Sequence, residues 1–125
     1  MLFYVENKVK APHIQSAIPR RRYEIDNFSV VVLGDVQSND PVNYKYIMAF
    51  VDVSETDPLM YITSEENPPN QREHGRYRVR VIYGEDERDM GSDEFPGDLE
   101  QFTEYGIQLA ARLLQLTEEE PIRLM

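Results

Sequence analysis

The sequence predicts an α+β fold, an antiparallel β-meander of about four strands packed against one C-terminal α-helix. Three observations carry this. Short runs alternate apolar and polar residues with period two, turn-forming residues separate those runs, and a sustained helical period occurs only near the C-terminus. No strand–helix–strand alternation is visible, which argues against a doubly wound nucleotide-binding fold.

The whole chain, 1–125, reads as a single domain. Its start, Met1 to Val5, is apolar, and residues 6–19 then lack a period and contain Pro12 and Pro19. Residues 1–21 are therefore expected to form an extended arm. The sheet is expected over 22–83. Its first strand is predicted from Arg22 to Leu33, with Tyr23 and Ile25 on one face, Glu24 and Asp26 on the other, and Val30–Leu33 entering the core. Gly34-Asp35 and Ser38-Asn39-Asp40-Pro41 supply turn residues.

A second strand is expected from Asn43 to Ser54. Strict alternation places Tyr44, Tyr46, Met48 and Phe50 on one face, and Ile47, Ala49, Val51 and Val53 on the other. Two apolar faces call for cover on both sides. One helix covers one face, so the arm or a second copy must cover the other; this imbalance predicts a homo-oligomer. A third strand is expected at 59–63 and a polar loop with Pro68-Pro69 at 64–75. A fourth strand spans 76–83, with Tyr77, Val79, Val81 and Tyr83 facing away from Arg76, Arg78 and Arg80.

Residues 84–97 read as an acidic loop and 98–117 as the helix. Asp98 and Gln101 have the spacing of a capping box. Leu99, Phe102, Gly106, Leu109, Ala110, Leu113 and Leu116 form one apolar stripe. Gly106 lowers helix propensity by about 1 kcal/mol relative to alanine, a cost that close approach to the sheet would justify. Fraying is expected at Glu118–Glu120, because acids oppose the dipole at a helix C-terminus and Pro121 ends the pattern. Residues 118–125 are expected to form a tail.

Composition narrows the function classes. The formal net charge of −10 disfavours nucleic acid and anionic membranes as partners, although residues 1–22 carry five basic side chains against Glu6 alone. Cysteine is absent, which excludes disulfides and thiolate chemistry. With no secretory pattern and no spanning apolar run, the protein is expected to be cytoplasmic.

Candidate chemistry is sparse. Between Glu85 and Glu94, an EF-hand count from Asp89 puts Asp93 fifth and Glu100 twelfth. It also puts Gly91 third, where a ligand belongs, and Glu94 at the glycine position, so the match fails. The run reads better as a solvated face or a partner surface, with Asp86, Glu87, Asp89, Asp93 and Glu94 as the partner-binding candidates. Arg76, Arg78 and Arg80 are candidates for an anion site, against cross-strand pairing with acids such as Glu24 and Asp26. His13 and His74 have no ligand-spaced companion, and catalytic or phosphate-binding motifs are missing. No cofactor and no metal are expected, and an enzyme is the least favoured class. The reading is a non-enzymatic protein-interaction or assembly module, oligomeric, with a protein partner that is basic. Its alternatives are an acidic inhibitor or immunity-type protein binding a basic enzyme, and a chaperone-like holdase. The holdase reading rests only on the order of elements, a meander followed by an amphipathic helix.

Overall fold

A computed structural model describes residues 11–116 and 121–125. The first ten residues of the expected arm and the acids Glu118–Glu120 lie outside the described residues. The architecture is α+β, with one antiparallel sheet and one C-terminal helix, but the sheet has seven strands rather than about four. They are β1 (Ile14–Ile25), β2 (Phe28–Ser38), β3 (Tyr44–Asp52), β4 (Met60–Glu66), β5 (Tyr77–Tyr83), β6 (Asp86–Asp93) and β7 (Ile122–Arg123); the helix α1 is Leu99–Leu113. The spatial order is β6-β5-β4-β3-β2-β1-β7, so the first six strands form an uninterrupted meander.

Two hairpins account for most of the added strands. The single strand expected from Arg22 to Leu33 folds back at Asp26-Asn27, pairing Ile25 with Phe28. Asp26 takes a positive φ of 52°, a conformation that aspartate tolerates better than most side chains. The period-two pattern continues through both arms, so alternation alone conceals the reversal. Likewise Gly84-Glu85 is a two-residue turn pairing Tyr83 with Asp86, with Gly84 at φ 63°. The expected acidic loop is therefore largely a strand. Its composition is that of an exposed edge, where charge keeps the unpaired backbone from recruiting another chain.

Part of the expected arm and of the expected tail is strand as well. β1 begins at Ile14, and β7 pairs Arg123 with Tyr23 and Ile122 with Glu24. Beyond β7, β1 carries Pro19 and register shifts in its pairing with β2, and β6 carries a bulge between its pairings with Arg78 and Arg80. Gly91 occupies that bulge at φ 103°.

A third irregularity corrects the reading of β3. The extra residue Lys45 lies between the pairs Tyr44–Glu65 and Tyr46–Ser64, so Tyr44 and Tyr46 leave opposite faces of the sheet. Tyr46 stacks on Phe102 of α1 at 5.8 Å between ring centroids. Tyr44 instead joins the face that carries Glu65.

The helical face holds the main core. Val30, Val32, Met48, Phe50, Met60, Ile62, Val79 and Val81 are buried there with Phe102, Leu109 and Ala110. Each large aliphatic or aromatic side chain contributes roughly 1.5–3 kcal/mol on burial. Gly106 does allow the close approach, since a Cβ at that position would lie 2.6 Å from Met48 Cε. The capping box does not form; Asp98 is the N-cap residue, but its side chain makes no capping bond. Entry to the helix is fixed instead by a 3-10 turn, Phe95–Gly97, whose Pro96 carbonyl accepts from Ser64 Oγ at 2.6 Å. The helix stops at Leu113 rather than 117. Leu114 N–H bonds the Ala110 carbonyl and Gln115 turns left-handed at φ 53°, a usual way to end a helix.

On the second face Ile47, Ala49, Thr63 and Ile82 are buried within a single copy of the chain. The apolar alternation of β3 therefore does not by itself require a second copy. Among the described residues no helix is long and apolar enough to cross a membrane.

The Gly106–Met48 contact gives a test with a change of sign. Overpacking costs about 1–3 kcal/mol, against a helix-propensity gain of about 1 kcal/mol. Gly106→Ala is expected to lower stability by about 1 kcal/mol in the native background. In a Met48→Ala background the same substitution is expected to stabilise, as urea unfolding of the four proteins would show.

Candidate functional site

Antiparallel pairing decides which acids meet which arginines. Residues directly opposite each other share a face, so Thr63 and Glu65 of β4 lie beside Arg80 and Arg78 of β5. Glu87 and Asp89 of β6 follow on the same side, opposite Ile82 and Arg80. The result is a continuous charged cluster on the face away from α1.

Glu65 is at its centre and only 2% exposed. Its Oε2 accepts from Arg80 Nε at 2.6 Å and from Thr63 Oγ1 at 2.7 Å, while Oε1 accepts from Arg78 Nε at 3.2 Å. Each arginine reaches outward to a second acid. Arg80 bonds Glu87 at 2.5 Å, and Arg78 bonds Asp89 at 3.3 Å. Arg76, one residue before β5, pairs with Glu66 at 2.7 Å and lies over the Tyr77 ring. The three anion-site candidates are thus held by Glu65, Glu66, Glu87 and Asp89, and not by Glu24 or Asp26. A buried carboxylate supplied with several donors and flanked by two guanidiniums is a mutually compensated network, because Glu65, Glu87 and Asp89 already offset the charge of Arg78 and Arg80.

Asp40 anchors the far end of this face. Its carboxylate accepts from the backbone N–H groups of His13 and Val42, from Ser38 Oγ, and from Tyr44 Oη at 3.0 Å. Partial burial disfavours its charge, but these four bonds outweigh that and hold its pKa below the ordinary aspartate value. Burial, then the bond to Asp40, pushes the Tyr44 hydroxyl well above the ordinary tyrosine range. The β2–β3 turn and the residues leading into β1 are thereby tied to one carboxylate.

The five partner-surface candidates separate. Asp86 lies at the β5–β6 turn, Glu87 and Asp89 are in the charged cluster, and Asp93 and Glu94 are at the opposite end of the sheet. There Asp93 accepts from Glu94 N–H and Glu94 from Arg76 N–H, both at 2.6 Å. Contiguity in sequence did not become contiguity in space, since a strand sends neighbours to opposite faces and its ends about 3.3 Å per residue apart. His74 is exposed beside Glu73 in the β4–β5 loop. Among the described residues no group of three or more His, Cys, Asp or Glu side chains is arranged to hold a metal.

What the topology does assemble is an acidic end. The β1–β2, β3–β4 and β5–β6 turns lie together at one end of the meander. They bring Asp26, Asp52, Glu55, Asp57, Glu85 and Asp86 together, and those turns contain no lysine or arginine. The connection at the other end between β4 and β5 is mixed, with Arg72 and Arg76 beside Glu66 and Glu73. Two exposed apolar side chains stand within the acidic end, Val53 at 67% and Tyr83 at 49%.

Two outcomes test these assignments. Glu65→Ala strands two guanidiniums around a buried void, and a loss of about 3–5 kcal/mol is expected. Glu65→Leu combined with Arg80→Met is expected to recover most of it, as read by urea unfolding. For Asp40 the sign follows from its depressed folded pKa. Its contribution is present above the ordinary aspartate value and lost as pH falls through the depressed one. Asp40→Asn is expected to flatten the acid limb of the stability–pH curve below about pH 4.

Comparison with family models, with curated proteins and with solved structures finds no match to this chain, so the acidic end and the Glu65 cluster stand on their own geometry.

Proposed function

We propose that this chain is a non-enzymatic protein-interaction module that presents the acidic end of its meander to a basic protein partner. The observation that carries this reading is the gathering of six acids on three turns without an intervening lysine or arginine. Such a patch focuses a negative potential that accelerates encounter with a cationic surface and repels other acidic proteins. The carboxyl end of α1 lies beside it: Leu113 lines a cleft with Met60 and Tyr83, and Arg112 in the last turn balances the partial negative charge of the helix end.

The Glu65 cluster supports the same reading from the other direction. Its acids and arginines satisfy one another, which makes it a scaffold for β4–β6 rather than a reaction centre. An inhibitor of a basic enzyme is a special case of this function, in which the partner's cationic site is the one occupied.

The test uses a synthetic oligolysine peptide as probe, titrated into the 15N-labelled chain at low and at near-physiological salt. Expected are shifts confined to the three acidic turns, weakening steeply as salt rises. A variant carrying Glu55→Gln, Asp57→Asn, Glu85→Gln and Asp86→Asn is expected to bind at least about tenfold more weakly. Neutralising Asp93 and Glu94 at the other end is expected to change little. Shifts spread evenly over the molecule, or equal weakening by both sets of variants, would overturn the proposal.

A further inference from the structure

The acidic end is not uniformly polar. Tyr83 closes β5 immediately before the Gly84 turn, on the helical face opposite Met60, and it contributes to the lining of two clefts. On the helical side, Met60, Val81 and Leu113 line a cleft of about 360 Å³ with Asp86 and Arg88 at its rim. On the other side, Ala11, Asp57, Pro58, Leu59, Tyr61 and Ile82 line one of about 510 Å³. Leu113 is 40% exposed although it belongs to the apolar stripe of α1, because the helix ends there and leaves its last turn over the first cleft.

We infer that Tyr83 is the anchor of the partner interface, and that the partner segment is cationic and amphipathic. Its apolar side chains would fill the clefts flanking Tyr83 while its lysines or arginines face the surrounding acids. This rests on the proposed function and adds the residue and the partner chemistry. Charge complementarity selects the occupant: Asp86 and Glu87 line the first cleft against Arg88, Asp57 lines the second, and Glu55 and Glu85 stand on the adjoining turns. Tyrosine is among the residues that most often dominate binding energy, since it offers a large rigid surface with a polar tip at low entropic cost. Charge alone would steer and orient the partner; the apolar anchor slows its departure.

Two synthetic peptides separate this inference from the reading beneath it, one of lysines only and one with leucine and phenylalanine set among lysines at equal net charge. Each is titrated into the full chain and followed by NMR shifts. The mixed peptide is expected to bind about tenfold more tightly, with shifts at Met60, Val81, Tyr83 and Leu113. Tyr83→Ser, or independently Leu113→Ser, is expected to remove that advantage while leaving oligolysine binding unchanged; both positions are exposed, and dispersed spectra confirm that each variant is folded. Equal binding of both peptides at the acidic turns would overturn the anchor and leave the proposed function standing. Absence of binding by either peptide would overturn both. A solution mass that doubles with concentration and reverts in Tyr83→Ser would assign Tyr83 and its clefts to self-association and overturn the cationic partner.

Discussion

A chain that reverses direction at every strand sends alternate turns to opposite ends of its sheet, and short connections leave it no other arrangement. That constraint organises this molecule. It puts the β1–β2, β3–β4 and β5–β6 turns together, and with them the acids those turns contain. It also sets β4, β5 and β6 side by side, so that Arg78 and Arg80 each meet acids from both neighbouring strands. Two charge patterns result. One is closed on itself around Glu65, and the other gathers acids from three turns at one end.

The closed pattern explains why the arginines of β5 are on the sheet. Arg78 and Arg80 lie on the same face of β5 as the buried Ile82. Desolvating them is costly, and Glu65, Glu87 and Asp89 offset that cost with directional bonds. Such a network depends on register, because a slip of one residue would turn each charge to the helical face and leave it unpaired. It is therefore suited to fixing how β4, β5 and β6 align, even where a hydrophobic replacement would be equally stable.

Much of this was legible in the sequence, and what was not has identifiable causes. The periods of β3, β5 and α1 are strong, and the expected bounds of β3 and β5 lie within two residues of the observed ones. The hairpins at Asp26-Asn27 and Gly84-Glu85 were hidden for different reasons. The first keeps its alternation through the turn, and the second leads into a strand whose charge resembles that of a loop. Residue spacing does not reveal the bulge at Lys45, because an inserted residue is defined only against a partner strand; strict alternation therefore assigns Tyr44 to the face of Tyr46, and the bulge turns it to the other. The acidic run illustrates the limit for sites. Its five candidates were adjacent in the chain, whereas the acids that cluster come from three separate turns. The signal for that cluster was present, in acids recurring beside turn residues at hairpin spacing, but only a known strand order gives it meaning.

The irregularities of the outermost strands have a consequence for the molecule in a crowded solution. An open sheet ends in two rows of unpaired backbone groups, and flat edges of this kind propagate into fibres. Here one boundary is capped for two residues by β7 and then broken by Pro19, which has no N–H to offer. The other is bent by the Gly91 bulge and dense with like charge, so an approaching strand meets both curvature and repulsion. Among the described residues, both boundaries of the seven-stranded sheet thus carry features that disfavour the addition of a further strand, so growth at either edge would need bend and charge to be overcome together.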